Sequence, residues 1–164
     1  MKKLLYVAPH LSTGGLPQYL TKKIELLKDN YEIYLVEWSD VTGGVLIVTR
    51  NKILKLVDQD KFFTLGDDKH ELIDIISRIK PDIIHLEEIP EFFMDKEIAQ
   101  QVYTQNRDYS IIETSHDSSF DTTQKQFFPD KFMFVSDWQI QQYKDIAIPS
   151  VLVEYPIEYV DRPD

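Results

Sequence analysis

The sequence predicts an α/β protein with a Rossmann-like three-layer arrangement, in which helices cover both faces of a mostly parallel sheet. Short apolar runs recur along the chain with turn signals between them, and the stretches that separate them have helical periodicity. The runs carry almost no polar residues on either face, as is typical of parallel strands buried on both sides. The six predicted strands are residues 4–8, 32–37, 83–86, 110–114, 132–135 and 150–153.

The length of 164 residues matches one domain with a single core. We therefore predict one Rossmann-like domain over residues 1–155. Residues 156–164 hold two prolines and three acidic residues, and we interpret them as a tail or the start of an interdomain hinge.

The composition argues against several classes of partner. A formal net charge of −10 disfavours nucleic acid and anionic membranes, both of which select basic clusters. The chain has no cysteine for disulfides or thiolate–metal sites, and its four scattered histidines do not predict a metal site. No window approaches the about 20 apolar residues of a membrane span. We expect a cytoplasmic protein with no resident cofactor.

Four segments have helical signals. Residues 17–28 start with a proline, which favours the first turn of a helix, and residues 70–80 carry an apolar stripe that ends before Pro81. Residues 92–105 form a weaker helix. The segment 136–144 begins with Ser136 and has Gln139 three residues later, which predicts a capping box.

One segment departs from the alternation of strands and helices. Apolar runs at residues 45–49 and 52–56 flank Arg50-Asn51, which predicts a small antiparallel hairpin with a two-residue turn. Residues 62–65 are expected to add another short strand.

Polar and glycine residues follow three of the predicted strands, at the edge where parallel α/β sheets bind ligands. His10 and Gly14-Gly15 follow the first strand, and Glu87-Glu88 and His116-Asp117 follow two later ones. Glycines let a ligand approach the backbone, and the N-terminus of the next helix favours phosphate. The edge is therefore a candidate site for phosphate or nucleotide-sugar chemistry.

Five pieces of the sequence occur in a characteristic order. They are Gly14-Gly15 before the first helix, Lys80-Pro81-Asp82-Ile83-Ile84-His85 leading into a strand, His116-Asp117 after Ile111-Ile112-Glu113-Thr114, Phe134-Val135-Ser136 opening a helix, and residues 151–156 at the end. Together they cover nearly the whole chain. In this order the sequence resembles the N-terminal domain of a GT-B glycosyltransferase, most of all the retaining glycosyltransferase family 4.

The resemblance implies an acceptor-binding half of an enzyme that moves a sugar from a nucleotide-sugar donor to a hydroxyl acceptor. It implies that Gly14 and Gly15 approach the donor diphosphate and that His116 contacts the transferred sugar or the acceptor. Glu87, Glu88, Asp117 and His10 are candidate acceptor contacts. The family's main donor-binding residues lie in a C-terminal domain, so we expect a donor-binding domain or subunit as partner and no turnover without it.

Other interpretations remain open for these residues. Gly14-Gly15 can be a tight turn without a ligand, and Asp117 can cap its loop rather than orient His116. His85 is expected to be a buried, hydrogen-bonded histidine, and Glu87-Glu88 can be a solvated loop pair.

Other interpretations also remain open for the whole chain. It can be a non-catalytic glycan- or partner-binding module, or the acceptor subunit of a two-chain transferase. It can also be a flavodoxin-like or nicotinamide-binding domain, and for a bound dinucleotide Glu37 is the only candidate for the ribose contact.

Overall fold

A computed structural model describes residues 1–155 except 42, 44 and 46. It confirms the α/β fold, with one all-parallel sheet of seven strands in the order β3-β2-β1-β4-β5-β6-β7. The strands are β1 (Lys2–Ala8), β2 (Tyr31–Glu37), β3 (Phe62–Thr64), β4 (Ile83–Leu86), β5 (Ser110–Glu113), β6 (Lys131–Phe134) and β7 (Ser150–Leu152). The predicted tail at 156–164 lies outside the described residues.

Helices pack on both faces of the sheet. They are α1 (Gly15–Leu27), α2 (Val48–Ile53), α3 (Glu71–Ile79), α4 (Pro90–Phe93), α5 (Lys96–Val102) and α6 (Asp137–Gln142). Successive residues of β1 point to opposite faces of the sheet and belong to two different cores. Leu5 and Val7 pack with α3 and α5 on one face. Leu4 and Tyr6 pack with α1 and α2 on the other. The sheet is therefore the middle of three layers.

The α3 helix illustrates why these segments are helical. Its apolar residues recur every three or four positions, so one stripe is buried against the sheet. The helix ends at Ile79, the next residue Lys80 has a left-handed φ of 53°, and Pro81 follows it. Asp82 then accepts a hydrogen bond from the backbone N–H of Lys3 at 2.7 Å, which aligns β4 beside β1.

The predicted cap of α6 is present in a modified form. The Ser136 hydroxyl accepts from the backbone N–H of Gln139 at 3.3 Å, as a capping box requires. The side chain of Gln139 accepts from Val135 N–H at 3.3 Å rather than from Ser136 N–H. The reciprocal bond has thus moved by one residue.

The predicted hairpin is wrong. Residues 48–53 form α2, so Arg50-Asn51 lies inside a helix instead of a turn. Ile53 and Val57 lie four residues apart, and both are buried in the core beside α1. This spacing is typical of a helix, and it determined the structure of the segment although the apolar composition resembles that of a strand. Residues 62–65 do contribute a strand, but β3 pairs with β2 in parallel. The predicted helix at 92–105 is divided into α4 and α5.

The strand order creates one crevice at the carboxyl edge of the sheet. From β1 the chain builds β2 and β3 on one side, and then returns to place β4 on the other side of β1. The loops after β1 and β4 therefore diverge, which is the position where open parallel sheets bind ligands. Among the described residues, the structure contains no helix that is long and apolar enough to cross a membrane.

Candidate functional site

The ends of β4 and β5 bring Glu87 and His116 together at the crevice. Glu87 directly follows β4, and its side chain is fully buried. Its Oε2 lies 3.1 Å from Nε2 of His116, which follows β5. Its Oε1 is paired with the ammonium group of Lys23 from α1. The carboxylate therefore links two strands and a helix.

Lys23 was not among the residues predicted from the sequence. It lies on the apolar stripe of α1, next to Leu20 and Ile24, and is only 7% exposed. Its Nζ is 5.2 Å and 5.0 Å from the ring centroids of Tyr6 and Tyr19, so aromatic faces complete its surroundings. The sequence did contain a signal for this residue, because Lys23 occupies a position on the buried stripe of an amphipathic helix. A buried ammonium group requires a buried anion beside it.

His85 is buried and hydrogen-bonded, as predicted. Its Nε2 lies 2.8 Å from the hydroxyl of Thr114, and its ring is 3.4–3.5 Å from Nζ of Lys23. Burial and the positive charge of Lys23 lower the pKa of His85 to about 3. His85 is therefore neutral near pH 7, so one ring nitrogen accepts a hydrogen bond and the other donates one.

The charges of Lys23 and Glu87 depend on each other. Burial alone would raise the pKa of Glu87. The charge of Lys23 and the two neighbouring histidines lower the pKa by more than burial raises it, so the pKa of Glu87 lies below its usual value. Burial lowers the pKa of Lys23, and Glu87 opposes that shift. We take the buried pair as ionised, and Glu87 then presents a fixed carboxylate to His116.

Tyr155 covers the outer side of the His116 ring. Its hydroxyl is 2.6 Å from Nδ1 of His116, and its ring packs edge-on against Tyr19 with centroids 4.8 Å apart. The Tyr19 hydroxyl donates to the carbonyl of Val153 at 3.1 Å, which ties the chain after β7 to α1. Neither tyrosine was predicted from the sequence, since both contacts depend on the tertiary fold.

The structure explains the two glycines of the first loop in different ways. Gly14 has a φ of 105°, where a side chain would be strained. Gly15 begins α1, and a Cβ there would lie 3.8 Å from the Tyr155 hydroxyl, an ordinary contact distance. The backbone turn therefore explains Gly14 without a ligand, while Gly15 places bare backbone beside the His116–Tyr155 pair.

Glu88 shapes the loop after β5. Its Oε2 accepts from the backbone N–H groups of His116 at 3.0 Å and Asp117 at 3.1 Å, and its Oε1 accepts from Ile89 N–H at 2.9 Å. The residue is 7% exposed. The alternative of a solvated Glu87-Glu88 pair is therefore wrong, because both carboxylates are buried and bonded.

Asp117 and His10 do not join the Glu87 cluster. Asp117 accepts from the backbone N–H of Ser119 at 2.6 Å, so it caps its loop, as one alternative predicted. Nδ1 of His10 lies 3.2 Å from the hydroxyl of Ser12 in the same loop. Neither side chain orients His116 in the part of the chain that the structure describes.

Glu37, the candidate ribose contact, is held by other groups. Its side chain is fully buried and accepts from Leu11 N–H at 2.6 Å, from Arg50 at 2.8 Å and 2.9 Å, and from Thr64 at 3.1 Å. Arg50 also lies 3.1 Å from Asp40. This cluster attaches α2 to the end of β2 and explains how a short helix holds its place on the sheet.

A further buried charge cluster lies on the opposite face of the sheet. Nζ of Lys125 is 3.0 Å from carboxylate oxygens of Glu91 and of Glu113, and the Tyr103 hydroxyl donates to Glu113. Burial raises the pKa of Glu113 to about 7 despite the lysine. The cluster anchors the long loop between β5 and β6 to α4 and to the end of β5.

Over residues 1–155 without 42, 44 and 46, the structure contains no group of three or more histidine, aspartate or glutamate side chains arranged to hold a metal ion. The chain matches no protein-family model and no curated protein. The geometry of the crevice is therefore the basis for a functional proposal.

Proposed function

We propose that this chain is the acceptor-binding half of a retaining glycosyltransferase, which moves a sugar from a nucleotide-sugar to a hydroxyl acceptor. One observation carries the proposal: His116, held by Glu87, meets a hydroxyl group beside Gly15 at the crevice between β1 and β4. A binding residue at this edge of a parallel sheet agrees with the general rule for such folds.

The Tyr155 hydroxyl indicates what the imidazole can bind. With Nε2–H donated to Glu87, Nδ1 of His116 is an acceptor for an O–H group, and at present Tyr155 supplies that group at 2.6 Å. An acceptor hydroxyl placed there would be oriented in the same way. We assign His116 this positioning contact with the reacting hydroxyl, which accelerates transfer chiefly by alignment.

The Gly14-Gly15 loop supports a donor contact. The loop leads into a helix of 13 residues, whose first turn has no side-chain cap in the structure. The helix N-terminus therefore offers N–H groups and a partial positive charge to a diphosphate. A C-terminal donor-binding domain or subunit would bring the nucleotide-sugar against this loop, and stabilisation of the leaving diphosphate belongs to that assembled site.

The surroundings of Glu37 favour this proposal over dinucleotide binding. A ribose contact needs a carboxylate that faces the ligand, whereas the Glu37 carboxylate is buried and bonded to backbone, arginine and threonine. We therefore expect NAD not to bind.

Ligand-induced thermal stabilisation tests the proposal, because a ligand that binds the folded state raises the melting temperature. We expect hydroxyl-rich acceptors to stabilise the chain, nucleotide-sugars to have little effect alone, and His116→Ala to abolish the acceptor response. His70→Ala is the matched control, since His70 is exposed before α3. Stabilisation by NAD or FMN, or an unchanged acceptor response in His116→Ala, would contradict the proposal. Acceptor binding without transfer after a donor-binding partner is supplied would instead favour a non-catalytic glycan-binding module.

A further inference from the structure

A groove runs along the outer surface of the domain between α1 and α2, beside the crevice. Its volume is about 720 Å³, within the range of about 300–1,000 Å³ of small-molecule sites. Gly15, Tyr19 and Tyr155 form the end nearest the crevice. Since Tyr155 also contacts His116, the groove begins next to the proposed acceptor hydroxyl.

The groove is long enough for more than one sugar unit. Along α1 its lining extends from Gly15 to Glu25. Ten residues of helix correspond to a length of roughly 15 Å, which exceeds a single hexose ring. A ligand that fills the groove and also reaches His116 must therefore be an extended molecule.

The walls have the chemistry of a carbohydrate site. Gln18 on α1 and Thr49 on α2 line the groove with an amide and a hydroxyl, both of which donate and accept hydrogen bonds. Lys52 adds a donor, and the ring of Tyr155, which is 39% exposed, provides an apolar face at the crevice end. Polar groups spread along the whole length suit a polyhydroxylated chain better than a lipid tail, which would leave them without partners.

We infer that this groove binds the sugar units that precede the reactive hydroxyl, so that the acceptor is an oligosaccharide rather than a monosaccharide. The inference rests on the proposed function, because it extends the same acceptor away from His116. Tyr155 lies between the two subsites, and its exposed ring contacts the sugar units in the groove. Gln18, Thr49 and Lys52 select for chain length.

A glycan array tests this inference with the full chain. The array carries methyl glycosides and matching trisaccharides of glucose, galactose, mannose and N-acetylglucosamine. We expect at least one trisaccharide to bind about tenfold more tightly than its monosaccharide. Gln18→Ala and Thr49→Ala should remove most of that difference and leave monosaccharide binding unchanged. Gln101→Ala is the matched control, because Gln101 is an exposed glutamine on α5, on the opposite face of the sheet.

The outcomes separate the inference from the function on which it rests. If the monosaccharide and the trisaccharide bind equally well and His116→Ala loses both, the inference that the groove binds further sugar units is wrong. The proposed acceptor site at His116 is then still supported. A chain-length effect that persists in both groove variants would also overturn the inference about the groove. Absence of binding to every glycan would contradict the groove and the proposed function together.

Discussion

Glu87 and His116 are 29 residues apart in the chain, yet Oε2 of the glutamate lies 3.1 Å from Nε2 of the histidine. The contact forms because β4 and β5 are adjacent parallel strands that end at the same edge of the sheet. The glutamate is fully buried and paired with Lys23, so the histidine is held by a carboxylate that cannot move into solvent. A buried ion pair thus fixes the orientation of a ring at the crevice.

Glu87→Gln should strongly destabilise the fold. The change leaves Lys23 buried without its anion, and breaking a buried ion pair costs about 3–5 kcal/mol of unfolding free energy. Urea denaturation measures the loss. Glu25→Gln is the control, because Glu25 pairs with Lys22 on the exposed side of the same helix, and there we expect about 0.5 kcal/mol or less. Similar losses in the two variants would show that the Lys23–Glu87 pair contributes little.

His116 should be held in one tautomer. Because Glu87 accepts from Nε2–H, Nδ1 should be the nitrogen without a proton in the neutral ring. Nitrogen-15 NMR of the imidazole ring distinguishes the two nitrogens directly. His70 is exposed, and its ring should show the mixture of both tautomers that is typical of a solvated imidazole. Protonation of His116 on Nδ1 would mean that Glu87 does not orient it.

His85 should make the fold less stable in acid. Its pKa is lowered to about 3 in the folded state, whereas the unfolded chain binds the proton near pH 6.5. The stabilisation is therefore complete above about pH 6.5 and is lost as the pH falls towards 3, by up to about 1.4 kcal/mol per pH unit.

The His85 contribution has to be measured as a difference between variants. Burial raises the pKa of Glu113 to about 7, so that residue favours the folded state at low pH and gives the opposite slope. Urea denaturation of the wild type and His85→Gln from pH 8 to pH 4 isolates the histidine, with His70→Gln as control. If the stability difference between wild type and His85→Gln does not shrink as the pH falls, the buried neutral state of His85 is wrong.

The two loop glycines should respond differently to alanine. Gly14→Ala places a side chain at a φ of 105° and should lower the unfolding free energy by about 1–2 kcal/mol. Gly15→Ala meets only the Tyr155 hydroxyl at 3.8 Å, in the first turn of α1, so its effect should stay within about 0.5 kcal/mol. Chemical denaturation measures both variants. Equal losses would contradict the distinction between a backbone role for Gly14 and a surface role for Gly15.

Much of the fold could be predicted from the sequence, because buried parallel strands leave a strong apolar signal. The six predicted strands are present, and the burial of His85 followed from its place in an apolar run. The error at α2 arose because residues 45–56 are apolar enough for strands, while the spacing of Ile53 and Val57 determines the packing. Arg50 then secures the helix through Glu37, a contact that the sequence pattern does not encode.

The candidate site was predicted less completely than the fold. Strand ends identified Glu87 and His116 separately, but not that one holds the other. The partners of this pair come from other parts of the chain: Lys23 projects from a helix, and Tyr155 follows β7. Asp117, the neighbour in sequence, caps its own loop instead. Contacts of this kind depend on strand order and helix placement, which local patterns do not specify.

Amide chemical-shift mapping of the nitrogen-15-labelled chain tests whether sugars bind beside His116. The chain is titrated with the methyl glycosides and trisaccharides of glucose, galactose, mannose and N-acetylglucosamine. We expect shifts centred on Gly15, His116 and Asp117, with little change at Gly66, which follows the edge strand β3. Shifts confined to other surfaces, or no shift with any sugar, would contradict an acceptor site at His116.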